Sequence, residues 1–230
     1  MRRTLEIIAT LTILAGATAA CGPAAPSAQG TATPTDTAAA ASPSPTVDRR
    51  ADLKAMVDAA GLKPKDLAVK KADSEDTILK LTMPCGTALI AGHMTAHYWS
   101  YKAAKPAVVT HAAFAYDPER GTAVIDQVRA ALTTCKTWIW GGTWDMKIVG
   151  EFPVSRPAGV DNALAYCHHG TILKGSGKGD KVYLCDGLVS RGNLVVQVGT
   201  VELTAAEAQT ELKKALTLAA TALVRAVPAT

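Results

Sequence analysis

The chain predicts an α+β fold, an antiparallel sheet with helices packed on it, held by two disulfides. Three observations carry this reading. Apolar residues recur at helical spacing near the start, the middle and the end of the region after residue 46. The runs between them read as strands joined as hairpins, not as repeated βαβ units. Four of the five cysteines, Cys85, Cys135, Cys167 and Cys185, remain to pair in an oxidising compartment.

The fifth cysteine is accounted for by the N-terminus. Arg2 and Arg3 are followed by an apolar run from Ile7 to Ala20, whose last three residues, Thr18-Ala19-Ala20, make a small-residue approach to Cys21. The run is about 14 residues, short of the roughly 20 that a membrane-spanning helix needs. Residues 1–21 therefore read as a lipoprotein signal peptide ending at a lipidated Cys21, which places the chain at the cell membrane, lipid-anchored on the extracytoplasmic face. Cleavage by an ordinary signal peptidase near Ala19 or Ala20 would instead leave Cys21 as a stray thiol, and Thr18 stands where an aliphatic residue is usual. Parity favours lipidation, since it leaves an even number of cysteines. Residues 22–46 hold only Gly, Ala, Pro, Ser and Thr apart from Gln29 and Asp36. They cannot build a core and read as a disordered tether with an r.m.s. span of about 25–30 Å. Residues 47–230 then make one domain.

Its first helix has Asp48 as N-cap, Leu53, Met56, Val57 and Ala60 on one face, and Gly61 as its stop before Pro64. A strand is expected over Thr77 to Thr82. A hairpin follows, Ala96 to Tyr101 and Val108 to Tyr116, turning around Lys105-Pro106, with Trp99, Tyr101 and Phe114 as bulk for one face. Asp117-Pro118 reads as the start of a second helix, a cap followed by proline in the first turn. Ile125, Val128 and Leu132 form its stripe, and Cys135 continues that face at the C-terminal end. Strands are expected over Met146 to Val154, Ala163 to Leu173, Lys181 to Leu188 and Asn193 to Leu203. The last helix opens on the capping box Thr204–Glu207 and buries Leu212, Leu216, Ala219 and Leu223.

Four cysteines allow three connectivities. Cys167 and Cys185 flank the turn Gly175-Ser176-Gly177-Lys178-Gly179-Asp180 on what read as two arms of a hairpin, where cross-strand cysteines can bridge. That pairing leaves Cys85–Cys135 as a longer-range staple. A four-cysteine zinc site lacks any C-x2-4-C pair.

Three stretches resemble the PknH-like extracellular sensor domains of actinobacteria, which occur on receptor Ser/Thr kinases and as free-standing lipoproteins. They are Phe114-Ala115-Tyr116-Asp117-Pro118 leading to the helix that ends at Cys135, the run from Cys185-Asp186-Gly187 to Val196, and the helix over 204–226. The resemblance implies a twisted antiparallel sheet with flanking helices, two disulfides, and a solvent-filled cleft that receives a ligand.

No set of residues announces catalysis. His93 and His97 have a metal-ligand spacing, but Met94 stands where H-E-x-x-H needs its glutamate. On a strand the two would share a face at greater distance; His168 and His169 point to opposite faces. There is no G-x-S-x-G, and Lys178 lacks the flanking residues of a phosphate loop. Asp145, Glu151 or Asp186 with a distant histidine has no positive signal. No cofactor or metal is expected. Without Arg2, Arg3 and Glu6 the chain carries 22 Lys+Arg against 19 Asp+Glu, a net of +3, too mild for nucleic acid. The cluster Lys63, Lys65, Lys70 and Lys71 reads as a solvated loop. Trp138, Trp140 and Trp144 with Gly141-Gly142 between them are the most suggestive group, because glycine-flanked aromatics line grooves for sugars or apolar ligands. Trp140 and Trp144 are the expected cleft-edge residues. The function that follows is a sensor-type domain binding a small molecule or cell-wall fragment without catalysis. The alternative is a protein-interaction module docking onto an envelope partner.

Overall fold

The strands of the computed structural model form one antiparallel sheet, and their order decides where a site can lie. The structure describes residues 49–67, 72–76, 81, 84–86, 93–102, 108–116, 120–175 and 177–227. The elements are α1 (Arg49–Ala59), β1 (Ala72–Asp76), β2 (His93–Lys102), β3 (Val108–Tyr116), α2 (Gly121–Thr134), β4 (Thr137–Trp140), β5 (Trp144–Glu151), β6 (Asn162–Ile172), β7 (Lys181–Arg191), β8 (Leu194–Glu202) and α3 (Ala205–Ala226). The spatial order is β1-β2-β3-β8-β7-β6-β5-β4. The α+β architecture is therefore as the sequence predicts. The signal, Cys21, the tether, Asp48, Lys70, Lys71, Lys105-Pro106, Asp117-Pro118 and Ser176 lie outside the described residues.

Each face of the sheet has its own core. On one, α1 and α3 bury Leu53, Val57, Leu212, Leu216, Ala219 and Leu223 against Ala113, Ala165, Cys167, Cys185, Val189, Val196 and Val198. The capping box at α3 forms as expected: Thr204 accepts from the Glu207 N–H through its side chain. The helix comes close to β7 because Gly187 leaves room, since a Cβ there would lie 2.9 Å from Leu216 Cδ1. On the other face, α2 buries Val124, Ile125, Val128 and Leu132 against Phe114, Leu164, Leu188 and Val195.

Both disulfides pair as the sequence reading has them. Cys167 and Cys185 are directly opposite on β6 and β7, with Cα atoms 4.1 Å apart. Cys85–Cys135 ties the segment before β2 to the C-cap of α2.

Three expectations need correction. The first described strand is Ala72–Asp76, ahead of the 77–82 expected, of which only Leu81 is described, buried and outside any strand. The sequence Ala-Asp-Ser-Glu-Asp has no strand propensity; edge pairing with β2 creates it. Helix α2 begins at Gly121, with Arg120 as N-cap and no side-chain cap. What sets its start is tertiary: the Gly121 N–H donates to Gly192 O at 2.9 Å. The strand expected from Met146 begins at Trp144 and ends at Glu151, and an unexpected short strand, β4, pairs with it. β3 keeps its expected bounds and β7 its expected start, and the remaining strand ends shift by one to three residues.

Gly121 sits so close to the sheet that a Cβ would lie 2.6 Å from Leu194 O and 2.8 Å from Ser190 Cβ. Gly121→Ala, a change that favours helix by propensity, is expected to destabilise the fold by about 1–3 kcal/mol through overpacking. Urea unfolding of both proteins measures the difference.

Candidate functional site

Helix α2 crosses its face from the β7–β8 turn, where Gly121 meets Gly192, to β5, where Lys136 O accepts from the Ile148 N–H at 2.9 Å. Strand alternation carries the same face beyond the helix to Tyr166 and His168 on β6, Leu184 and Asp186 on β7, Gln197 and Gly199 on β8, and Thr110 on β3. Tyr166, Asp186, Gly199 and Thr110 form a single rung across four strands.

Asp186 is the centre of this group. Its Oδ1 accepts from Gln197 Nε2 at 3.1 Å, and the Tyr166 phenol lies across the β6–β7 pair from it, favouring its ionised form. Gly199 makes room for it: a Cβ there would lie 2.6 Å from Thr110 Oγ1 and 3.1 Å from Asp186 Oδ1. The side chain is 14% exposed, and no lysine or arginine pairs with it among the described residues. Burial therefore raises its pKa from the ordinary 3.8 to about 7, although the bonds from Gln197 and Tyr166 oppose the rise. Burial, with the Asp186 charge and bond added, pushes the Tyr166 phenol well above its usual range.

His168 Nδ1 lies 3.8 Å from Asp186 Oδ2, with the ring 7% exposed. That distance is too long for a hydrogen bond, and Nδ1 has no partner among the described residues. Burial, helped by His169, lowers the imidazole pKa from 6.5 to about 4. His168 is therefore uncharged near neutrality, where Asp186 is only partly ionised, so the two do not form an ion pair there. The Trp138 ring stands edge-on to His168 at 5.4 Å, and Tyr166 is tilted against it at 6.1 Å.

The tryptophans continue this surface. Trp140 and Trp144 face each other as the closing pair of the β4–β5 hairpin, whose turn uses Gly141 and Gly142 at positive φ. Trp140 is 44% exposed. Trp144 is half-buried and lies over β6, where Gly170 has no side chain; a Cβ would be 2.9 Å from its ring and from Met146 Sδ.

The other sequence candidates are dispersed. Asp145 is exposed, and Glu151 meets Arg129 at 3.5 Å on the surface. A register shift between His93 and Thr95 breaks the alternation on which their spacing argument relied. His97 Nδ1 sits 3.2 Å from Asp58 Oδ1, tying β2 to α1. His111 is buried on the α1/α3 face, where burial and then His97 lower its pKa to about 3. No group of three His, Cys, Asp or Glu among the described residues could hold a metal ion. A separate open cavity of about 530 Å³ lies between α3 and the segment before β6, lined by Ser155, Pro157, Ala158, Thr217, Thr221 and Val224 among others.

No family model matches the chain, and no curated protein is significantly similar to it. Among solved structures it is similar to the extracellular domain of PknH from Mycobacterium tuberculosis, at 10% identity over 74% of this chain and 94% of that one, with a TM-score of 0.48.

The buried carboxyl has a signed consequence for stability. Between pH 4 and 7 native Asp186 holds a proton that the unfolded carboxylate has lost, so this group makes stability fall as pH rises through that window. His168 acts oppositely: unfolded it is protonated up to about 6.5 and native only to about 4, so its contribution rises with pH. Asp186→Asn removes the first effect alone. The variant is expected to be more stable than the parent by a margin that grows from pH 4 to 7, levelling at about 1–3 kcal/mol. Denaturant unfolding at a series of pH values tests this, and a pH-independent difference would refute it.

Proposed function

We propose that this chain is a lipid-anchored extracytoplasmic sensor-type domain that binds a small molecule or cell-wall fragment without catalysis. The observation that carries the reading is the Asp186–His168–Tyr166–Gln197 group, set in the part of the sheet face beyond α2. Buried polar groups are normally fully partnered; here His168 Nδ1 is buried without a partner, 3.8 Å from a carboxyl oxygen of Asp186. Trp138 borders the group, and Trp140 and Trp144 extend the aromatic edge. An apolar and aromatic rim with a few convergent polar atoms is the composition of a ligand site. The 530 Å³ cavity beside α3 shares none of these residues. The signal over 1–21 and the tether over 22–46 support the membrane address.

A second reading, an envelope protein-interaction module, draws on Ile139 and Trp140 of edge strand β4 with Val149 of β5, all large, apolar and exposed. An edge strand with exposed apolar residues can accept a partner strand.

Two measurements separate these. Thermal unfolding against wall-sugar fragments, fatty acids, polyamines, zinc and EDTA is expected to show a saturable rise, about 2.7 kcal/mol at a hundred times the Kd. Trp138→Ala, Trp140→Ala or Trp144→Ala should abolish it. A flat panel together with strand-dependent crosslinking in cells would favour the partner reading. For the anchor, Cys21→Ser is expected to move the protein from the membrane to the soluble fraction on cell fractionation.

A further inference from the structure

The unbonded pair at the centre of the site has a chemistry of its own. Asp186 Oδ2 and His168 Nδ1 are 3.8 Å apart, both largely buried, and neither can donate to the other once the carboxyl is ionised and the imidazole carries its proton on Nε2. In that protonation state, which a bound cation favours over the protonated carboxyl, both atoms are acceptors, and one donor with more than one N–H satisfies them together. Of the other neighbours of Asp186, Gln197 donates to its Oδ1 and Tyr166 stands opposite it across the strand pair, and neither is a cation. The carboxylate is thus desolvated without a positive partner among the described residues, an arrangement that costs free energy until a cation arrives. Around the gap stand the rings of Trp138 and Tyr166, each in contact with His168, and aromatic surfaces favour a cation.

We propose that this site takes the protonated primary-amine end of its ligand, the ammonium donating to Asp186 Oδ2 and to His168 Nδ1. The inference rests on the small-molecule reading above and narrows it to a chemical class. An ammonium satisfies both acceptors at once and supplies the missing charge. A hydroxyl has a single proton and no charge, and a quaternary ammonium has charge but no N–H, so both should bind less well. Burial raises the proton affinity of Asp186, and an ammonium held against it favours the ionised form and lowers that affinity again.

The test is a ¹H–¹⁵N NMR titration of the full chain in detergent micelles with n-butylammonium, tetramethylammonium and n-butanol. Saturable shifts at the amides of His168, Asp186 and Gly199 are expected with n-butylammonium, with at least about tenfold weaker binding of the other two probes. Asp186→Asn should weaken n-butylammonium by about tenfold or more. The comparison of probes needs no variant, so it stands even if Asp186→Asn fails to fold. Equal binding of n-butanol or tetramethylammonium at these amides would overturn the ammonium class and leave the pocket reading intact. Silence at these amides with all three probes would also overturn the class. In that case a wall-sugar or fatty-acid titration at the same amides decides the pocket itself: shifts there keep the binding reading, and none rejects it.

Discussion

Helix α2 is pinned at both ends. The Gly121 N–H bonds to Gly192 O where β7 turns into β8, and the far end is held by the Cys85–Cys135 disulfide. Between these points it lies on Leu164, Leu188 and Val195. Its fourteen residues cannot cover a face of eight strands, because a helix rises only about 1.5 Å per residue. The opposite face has two helices, one of them twenty-two residues long, and its described core is mainly aliphatic, with His111 and Thr200 the buried polar side chains among it. The two faces therefore differ in kind: one is a conventional core, and the other is part core and part polar floor.

What fills the uncovered part follows from that shortfall. Trp138 leans onto His168, and Trp144 lies across the glycine at position 170, so two large rings from one hairpin supply cover that α2 does not reach. Each indole removes a large apolar area from water for little conformational entropy. Between the rings and α2 remain Asp186, His168, Tyr166 and Gln197. A buried carboxylate with no cationic partner is a net cost to the fold. The bond from Gln197 holds it in position without neutralising it, and Gly199 leaves room for it on the sheet. The group that costs the fold stability is the one on which the proposed ligand site rests.

Much of the architecture was legible because it is local. The capping box at Thr204–Glu207 and the stripe Leu212, Leu216, Ala219, Leu223 need only near neighbours along one helix, and β3 matches its expected bounds for the same reason of strong apolar, β-favouring sequence. The strand Ala72–Asp76 was not legible: five polar or small residues become a strand only because β2 offers an unpaired edge. Nor was β4, which reads as neither helix nor strand until Trp138 pairs with Met146. The polar site was half hidden. Asp186 was recognised only as a carboxylate in want of a histidine. Yet pairing Cys167 with Cys185 already sets the hairpin register, which places Tyr166 opposite Asp186 and His168 one position beyond the cysteine. The signal lay in the register that the disulfide implies, not in any motif.

By itself, then, the sequence determined the α+β class, the helix stripes and the cysteine pairing, because periodicity, capping and parity are properties of short segments or simple counts. Only the tertiary structure decided where α2 begins, which edge strands exist and which polar groups converge. Those outcomes depend on contacts between segments far apart in the chain. Gly121 against Leu194, Ala72–Asp76 against β2, and Gln197 beside Asp186 have no local signature, because each partner's role is set by the surface the other presents.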